Sequence, residues 1–399
     1  MTGDVFDPQQ LSRCISCGFC LPACPTYAMT GDEASSPRGR ITLMRALQDG
    51  TLPPDDATLA EQASFCLGCR ACEPVCPAGV EYGSLLEQWR VHQWRGWRRP
   101  LVARALMLLV ERRWLLRLAG LARRAARGPA ATAPPTAPAP TTPTAPASTA
   151  PASTALASTA PAPGATSATA AAPGSAAPGG PGARLMLGCV ERGLYPAVSR
   201  AAHALAPELA VPTAQGCCGA LHAHNGDLVG GERLAERLGE DLPGTIVTTS
   251  GGCAAHLASV LGSDRVRELS TWLAGRPAGA ELRVAGRRAR VTLQDSCHLR
   301  NGLGVFAEPR ALLRQVADYV ELPSAATCCG AAGTYSLLRP RQSRRILDAK
   351  LDEIEAAGVD LVVTVNPGCL RQLRTGLRRR RSAVRAVHLA ELLAGVESP

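Results

Sequence analysis

Lysine is almost missing from this 399-residue sequence: Lys350 stands alone, and arginine supplies nearly all of the 43 basic side chains. Aromatic residues are only 4%, so any core must be aliphatic, although a hydrophobic content of 46% is ample for sizeable cores. No apolar run approaches the ~18 residues of a membrane-spanning helix. The opening stretch "MTGDVFDPQQLSR" has no basic segment, apolar core or small-residue cleavage site, so no secretory signal is expected and a reducing, cytoplasmic setting is. No G-x-G-x-x-G follows a strand-like run, which argues against a dinucleotide site in this chain. The net charge of +10 does not argue for nucleic acid, because the arginine excess runs with an excess of Ala, Pro and Gly. The run Arg378–Arg381 reads as a solvated helical face.

Cysteine is abundant, sixteen in all. In a reducing compartment such a number points to metal rather than disulfide staples. Residues 128–183 are almost entirely Ala, Pro, Thr, Ser and Gly, which cannot build a core and read as a linker. It leaves eight cysteines on each side.

On the N-terminal side, "CISCGFCLPACP" sets Cys14, Cys17, Cys20 and Cys24 at C-x2-C-x2-C-x3-C-P, and "CLGCRACEPVCP" repeats the pattern at Cys66, Cys69, Cys72 and Cys76. This is the bacterial ferredoxin spacing, in which three thiolates of one tight loop meet a fourth from the other run. The expected ligand sets are therefore Cys14, Cys17, Cys20 and Cys76 for one 4Fe–4S cluster, and Cys66, Cys69, Cys72 and Cys24 for the second. Zinc sites pair two short motifs far apart, whereas here four thiols fall within eleven residues, twice. Gly18 and Gly68 let the backbone come close to inorganic sulfide. "RGRITLMRALQDG", between the motifs, reads as a helix. Trp89, Trp94, Trp97 and Trp114 lie among arginines in helical patterns broken at Pro100, a surface that either packs on the ferredoxin module or meets a membrane.

The C-terminal side repeats itself. "LMLGC" and "VTLQDSC" are apolar runs, read as strands, that end at Cys189 and Cys297. "QGCCGA" and "ATCCGA" follow, with Cys217, Cys218 and Gly219, then Cys328, Cys329 and Gly330. "TIVTTSGGC" and "LVVTVNPGC" again read as strands, ending at Cys253 and Cys369. Strand and helix alternate, so each repeat is an α/β unit whose cysteines sit at strand ends, where open sheets place ligands. Adjacent cysteines form strained disulfides, so the pairs are read as ligands of a metal centre or as redox thiols. His222, His224, His256 and His298 lie near cysteines and are read as packing or as hydrogen-bonding to sulfur.

The CCG repeat resembles the cysteine-rich domain of heterodisulfide reductase subunits. The whole layout resembles the iron–sulfur subunit of glycolate oxidase, through "CGFCLPACPTY", "SPRGRITLMR", "CLGCRACEPVCPAGVEYG", "CCGALHAHNG", "DSCHL", "CCGAAGTY" and "NPGCLRQL". In the heterodisulfide reductase pattern the last cysteine belongs to a CxxC pair. Here Ser250 and Asn366 stand at the earlier position, leaving four cysteines per repeat. The fold class expected is α+β and multi-domain. A ferredoxin-type domain with two 4Fe–4S clusters spans 1–100, a helical extension 101–127 and the linker 128–183. A duplicated α/β cysteine-rich domain follows, with repeats at 184–283 and 284–399. The resemblance implies an electron-transfer subunit with no catalytic residue and no flavin site of its own. It would take electrons from an FAD-binding 2-hydroxy acid dehydrogenase subunit and pass them toward quinone or the membrane respiratory chain, peripherally at the inner face of the membrane, with no nucleic-acid partner. A further iron–sulfur centre in the CCG half, a thiol–disulfide oxidoreductase of heterodisulfide reductase type and a lactate-utilisation iron–sulfur subunit are the alternatives.

Overall fold

The computed structural model of the chain describes residues 4–112 and 182–395. Trp114, the rest of the helical extension and nearly all of the 128–183 stretch lie outside the described residues.

The N-terminal part is helical. Several helix starts have a local cause. Asp7, Ser36 and Asp56 accept backbone N–H bonds ahead of the helices Pro8–Arg13, Pro37–Gln48 and Ala57–Phe65, satisfying donors that a first turn leaves free. Pro25 opens Pro25–Thr30 directly after Cys24, and Pro37 opens its helix in the same way. These helices and Tyr82–Gln93 close on a small aliphatic core of Met44, Leu59, Leu85 and Leu86, with Trp89 buried among them. The helix Leu101–Glu111 then leaves this part, after Pro100, and packs on the C-terminal half.

The C-terminal half holds two parallel sheets. Strands β1 (Arg184–Met186), β2 (Ile246–Thr248) and β3 (Val266–Glu268) form the first, in that order. A short antiparallel pair, β4 (Arg283–Val284) and β5 (Arg287–Arg288), joins it to the second. That sheet has the order β7–β6–β8–β9, with β6 at Arg290–Gln294, β7 at Asp318–Tyr319, β8 at Leu361–Thr364 and β9 at Arg385–His388. The repeats share one strand order: β1 corresponds to β6, β2 to β8 and β3 to β9. The position of β7 is occupied in the first repeat by a single bridge between Arg184 and Ala210. Largely apolar runs such as "LVVT" become strands covered on both faces, as parallel sheets require. Their side chains and the flanking helices make one continuous core across both repeats, from Leu185 to Leu393.

The strands stop earlier than the sequence suggests. Cys189, Cys253 and Cys369 are not the last residues of strands but lie in the first turn of the helices Cys189–Leu194, Gly251–Leu261 and Pro367–Arg380. The strands end three to five residues before the cysteine, with Gly188, the pair Gly251–Gly252 and Pro367 in the gap, since Gly and Pro are poor strand residues and Pro pre-sets a helical start. Cys297 likewise precedes a single π-helical turn, His298–Gly302.

Candidate metal centres

The two ferredoxin-type loops share an unusual backbone. Ser16 and Gly18 in the first have φ of 56° and 88°, and Gly68 and Arg70 in the second have φ of 65° and 59°. These are the third and fifth residues of each C-x2-C-x2-C run. Alternating left-handed residues turn successive backbone N–H groups toward one side, a cradle for an anion. Glycine was visible in the sequence at one such position in each loop. Ser16 and Arg70 were not, because a non-glycine residue gives no composition signal for positive φ.

The loops surround two hollows. One is lined by Cys14, Cys17, Cys20 and Cys76, and the other by Cys24, Cys66 and Cys69; Cys72 touches both. The fourth cysteine of each run thus lines the hollow of the opposite loop. All sixteen cysteines are free of disulfides. Among the described residues, no three His, Cys, Asp or Glu side chains converge on the point a single metal ion would occupy.

The second hollow also contains a buried charge that is only partly satisfied. Arg40 is 1% exposed and lines the wall beside Cys24 and Cys66. Its Nη1 donates to Thr26 Oγ1 at 3.1 Å, while its buried Nε and Nη2 have no hydrogen-bond partner. A buried guanidinium is costly unless an anion faces it. Four thiolates around an iron–sulfur cluster make such an anion, so the residues present fit the group. Tyr82 adds an O–H donor to Cys66 Sγ at 3.8 Å, and the Gly68 N–H points to the same sulfur at 3.4 Å.

In each CCG repeat the four sulfurs form a chain in sequence order. Cys189 Sγ lies 3.8 Å from Cys217 Sγ and Cys218 Sγ lies 3.2 Å from Cys253 Sγ, with a hydrogen bond between the thiols of Cys217 and Cys218 linking them. In the second repeat Cys297 meets Cys328, Cys328 meets Cys329, and Cys329 meets Cys369. Hydrogen bonds from Cys189 and Cys218 hold the Cys217 thiol well below its usual range. Cys329 is lowered in the same way by Cys328 and Cys369, and Cys297 falls to about 5 through Cys328 and His298. The donors Cys189, Cys218, Cys328 and Cys369 move up correspondingly. The turn beneath each pair needs glycine. Gly219 and Gly330 both have φ of 83°, and a Cβ there would lie 2.0 Å from the Gly231 carbonyl oxygen and 2.7 Å from that of Ser343.

Ser250 and Asn366, the two residues standing where the heterodisulfide reductase pattern has cysteine, meet each other. Ser250 Oγ donates to Asn366 Oδ1 at 3.0 Å, and Asn366 Nδ2 reaches Cys369 Sγ at 3.6 Å. They lie where the first turns of the two equivalent helices approach, with the Gly251 N–H donating to the Val365 carbonyl.

The two halves touch at their cysteines. Cys69 and Cys297 pack in one apolar cluster with Leu67, Cys328 and Tyr335. Burial pushes the Cys69 thiol well up, and the neighbouring Cys297 adds to the effect. Asn301 Nδ2 donates to the Cys69 carbonyl at 2.8 Å. Arg90 ties the same region to the first repeat, donating to the carbonyls of Ala63, Cys66 and His224. His224 hydrogen-bonds Glu87 at 2.8 Å and stacks on His298, with ring centroids 4.8 Å apart. His222 bonds Glu111 at 2.6 Å and His256 the Gly231 carbonyl at 3.3 Å. These histidines therefore make packing and hydrogen-bond contacts at the junction, and His298 bonds the sulfur of Cys297.

Comparison with known proteins agrees with this division. The family described as 4Fe-4S dicluster domain matches residues 10–80, and that described as Cysteine-rich domain matches twice, at 184–258 and 291–374. The chain is 34% identical to the probable glycolate oxidase iron–sulfur subunit of Bacillus subtilis, over 97% of this chain and 94% of that protein. It is 28% identical to the glycolate oxidase iron–sulfur subunit of Escherichia coli, over 92% of this chain and 91% of that one. Lactate utilization protein A of Bacillus subtilis is 29% identical over 47% of this chain and 86% of its own length.

Proposed function

The chain belongs to the family of glycolate oxidase iron–sulfur subunits, and from that premise we propose that it carries electrons from a flavin-bearing 2-hydroxy acid dehydrogenase subunit toward the quinone pool at the membrane. The chain is an iron–sulfur electron-transfer subunit of an oxidoreductase. We assign Cys14, Cys17, Cys20 and Cys76 to one 4Fe–4S cluster, and Cys66, Cys69, Cys72 and Cys24 to the other. Such clusters exchange one electron at a time. The protein's own part is to hold the thiolates, keep water from the buried second site, face it with the Arg40 cation, and bring it against the CCG half.

That contiguity carries the reading. A store of thiols unrelated to the ferredoxin part would have no reason to bury Cys297 against Cys69. Anaerobic purification with the flavin partner, followed by turnover of glycolate with a quinone analogue, tests it. Cys217→Ala and Cys329→Ala should leave the EPR signals of the two cubane clusters intact and lower quinone-linked turnover. Full turnover in both variants would make the CCG cysteines structural.

A second reading applies to the CCG half alone. Its sulfurs are in direct contact, at 3.2 and 3.8 Å in the first repeat, which favours a reduced thiol site. Iron content separates the two. About eight irons per chain fit two cubane clusters and metal-free CCG thiols, and more fit a further cluster.

A further inference from the structure

The helix Leu101–Glu111 has two apolar faces, and among the described residues only one is covered. Ala103, Met107 and Val110 are buried, and Val110 packs directly on Cys189 and Cys217, so the helix roofs the thiol site of the first repeat. On the other side Leu101 is 77% exposed and Leu108 is 52% exposed, with Val102 and Ala105 also open. Just before the helix, Trp97 is 83% exposed, beside an Arg98 guanidinium 5.9 Å from its ring. Trp89 and Trp94 are buried, so of the three tryptophans described in this stretch only Trp97 faces outward.

Charge distinguishes the outer face further. Between residues 95 and 112 lie Arg95, Arg98, Arg99, Arg104 and Arg112, against Glu111 alone. That carboxylate is turned to His222. Arg99 and Arg104 are tethered to the carbonyls of Gly226 and Gly96, while Arg95, Arg98 and Arg112 are exposed. An exposed tryptophan just before the helix, exposed leucines on it, and five arginines against one half-exposed acid that is paired with His222 match the boundary between acyl chains and anionic headgroups.

We propose that the outer face of Leu101–Glu111, with Trp97, lies on an anionic lipid bilayer as an interfacial anchor. No helix among the described residues is long and apolar enough to cross a membrane, and this one would lie flat. Its inner face would then hold the first-repeat thiols directly beneath the bilayer surface. The inference deepens the peripheral placement proposed above but is tested apart from electron transfer.

The full-length, cluster-loaded protein is mixed with vesicles of phosphatidylcholine containing about 30% phosphatidylglycerol, and binding is read by sedimentation. The wild type should bind these, bind pure phosphatidylcholine far less, and release as salt is raised well beyond ~0.15 M. Brominated lipid should quench tryptophan emission, and Trp97→Ala should remove most of that quenching. Leu101→Ser with Leu108→Ser, and separately Arg95→Glu with Arg98→Glu, should weaken binding by about tenfold or more. Iron content, thermal unfolding and turnover with the flavin partner and a soluble dye should not change, because these side chains point away from the protein. Equal binding by wild type and both variants, or no binding by the wild type, would overturn the proposal. So would loss of assembly with the flavin subunit in lipid-free solution for the same variants, which would make the face a protein contact. Failure of the dye assay in the wild type would instead count against the electron-transfer reading.

Discussion

At the scale of single residues, Arg40 and Cys24 carry the sharpest expectations. Arg40 is a buried cation whose Nε and Nη2 have no partner, on the wall of the second hollow. Arg40→Gln should lower the reduction potential of the cluster assigned there, because reduction adds negative charge that the guanidinium offsets. One unit charge acting over several ångströms at an effective dielectric of ~20 is worth on the order of 100 mV. A potentiometric EPR titration reads this, and the cluster of Cys14, Cys17 and Cys20 should move much less. Cys24→Ser should damage the cluster of Cys66, Cys69 and Cys72, since Cys24 lines that hollow and not its own loop's. Loss of the first-loop signal alone would refute the crossed assignment. The spacing made this crossing legible, whereas the Arg40 charge was not: in "SPRGRITLMR" nothing separates it from Arg38, which is partly exposed and paired with Glu33.

At the scale of elements, the duplication explains why equivalent helices are capped alike by unlike residues. Helix Leu269–Trp272 after β3 is capped by Glu268, and helix Leu389–Leu393 after β9 by His388. Both caps are buried. Burial raises the Glu268 carboxyl to about 7 and lowers the His388 imidazole to about 4. Folded chain therefore retains the Glu268 proton between roughly pH 4.5 and 7, where unfolded chain has lost it. Stability should fall as pH rises through that window, by on the order of 3 kcal/mol. Glu268→Gln keeps an acceptor for the Ser270 N–H. It should be more stable than the wild type at pH 8 and close to it near pH 4.5, as denaturant melts at the two pH values would show. The turn under each cysteine pair is less forgiving. Gly219→Ala places a Cβ 2.0 Å from the Gly231 carbonyl in a left-handed conformation, and should cost at least about 2 kcal/mol. A Gly219→Ala protein that melts like the wild type would show that the turn can shift.

At the scale of the whole molecule, the halves are joined by direct contact as well as by chain. Arg90 reaches the His224 carbonyl, Arg339 pairs with Glu61, and Asn301 holds the Cys69 carbonyl. The segment 128–183 should then be a spacer. A flexible chain of that length reaches about 40 Å by the square-root estimate. Deleting most of 130–180 should leave iron content and coupled turnover nearly unchanged. A soluble, iron-loaded deletion without turnover would give the segment a function of its own.

Spacing along the chain was enough to mark the two ferredoxin-type loops and the duplication and to predict an exchange of the fourth cysteines, because each depends on local ligand geometry or on repetition. The strands were legible as apolar runs, but their ends were not. Whether Cys189 closes a strand or opens a helix depends on how Gly188 turns once β1 is paired with β2. Only the tertiary structure set Cys69 against Cys297, stacked His224 on His298 and brought Ser250 to Asn366. These contacts join residues more than seventy positions apart, and no local propensity encodes them. The same holds for the helix Leu101–Glu111: the sequence shows it to be apolar and basic, but which apolar face is covered was decided by the fit of Val110 over Cys189 and Cys217.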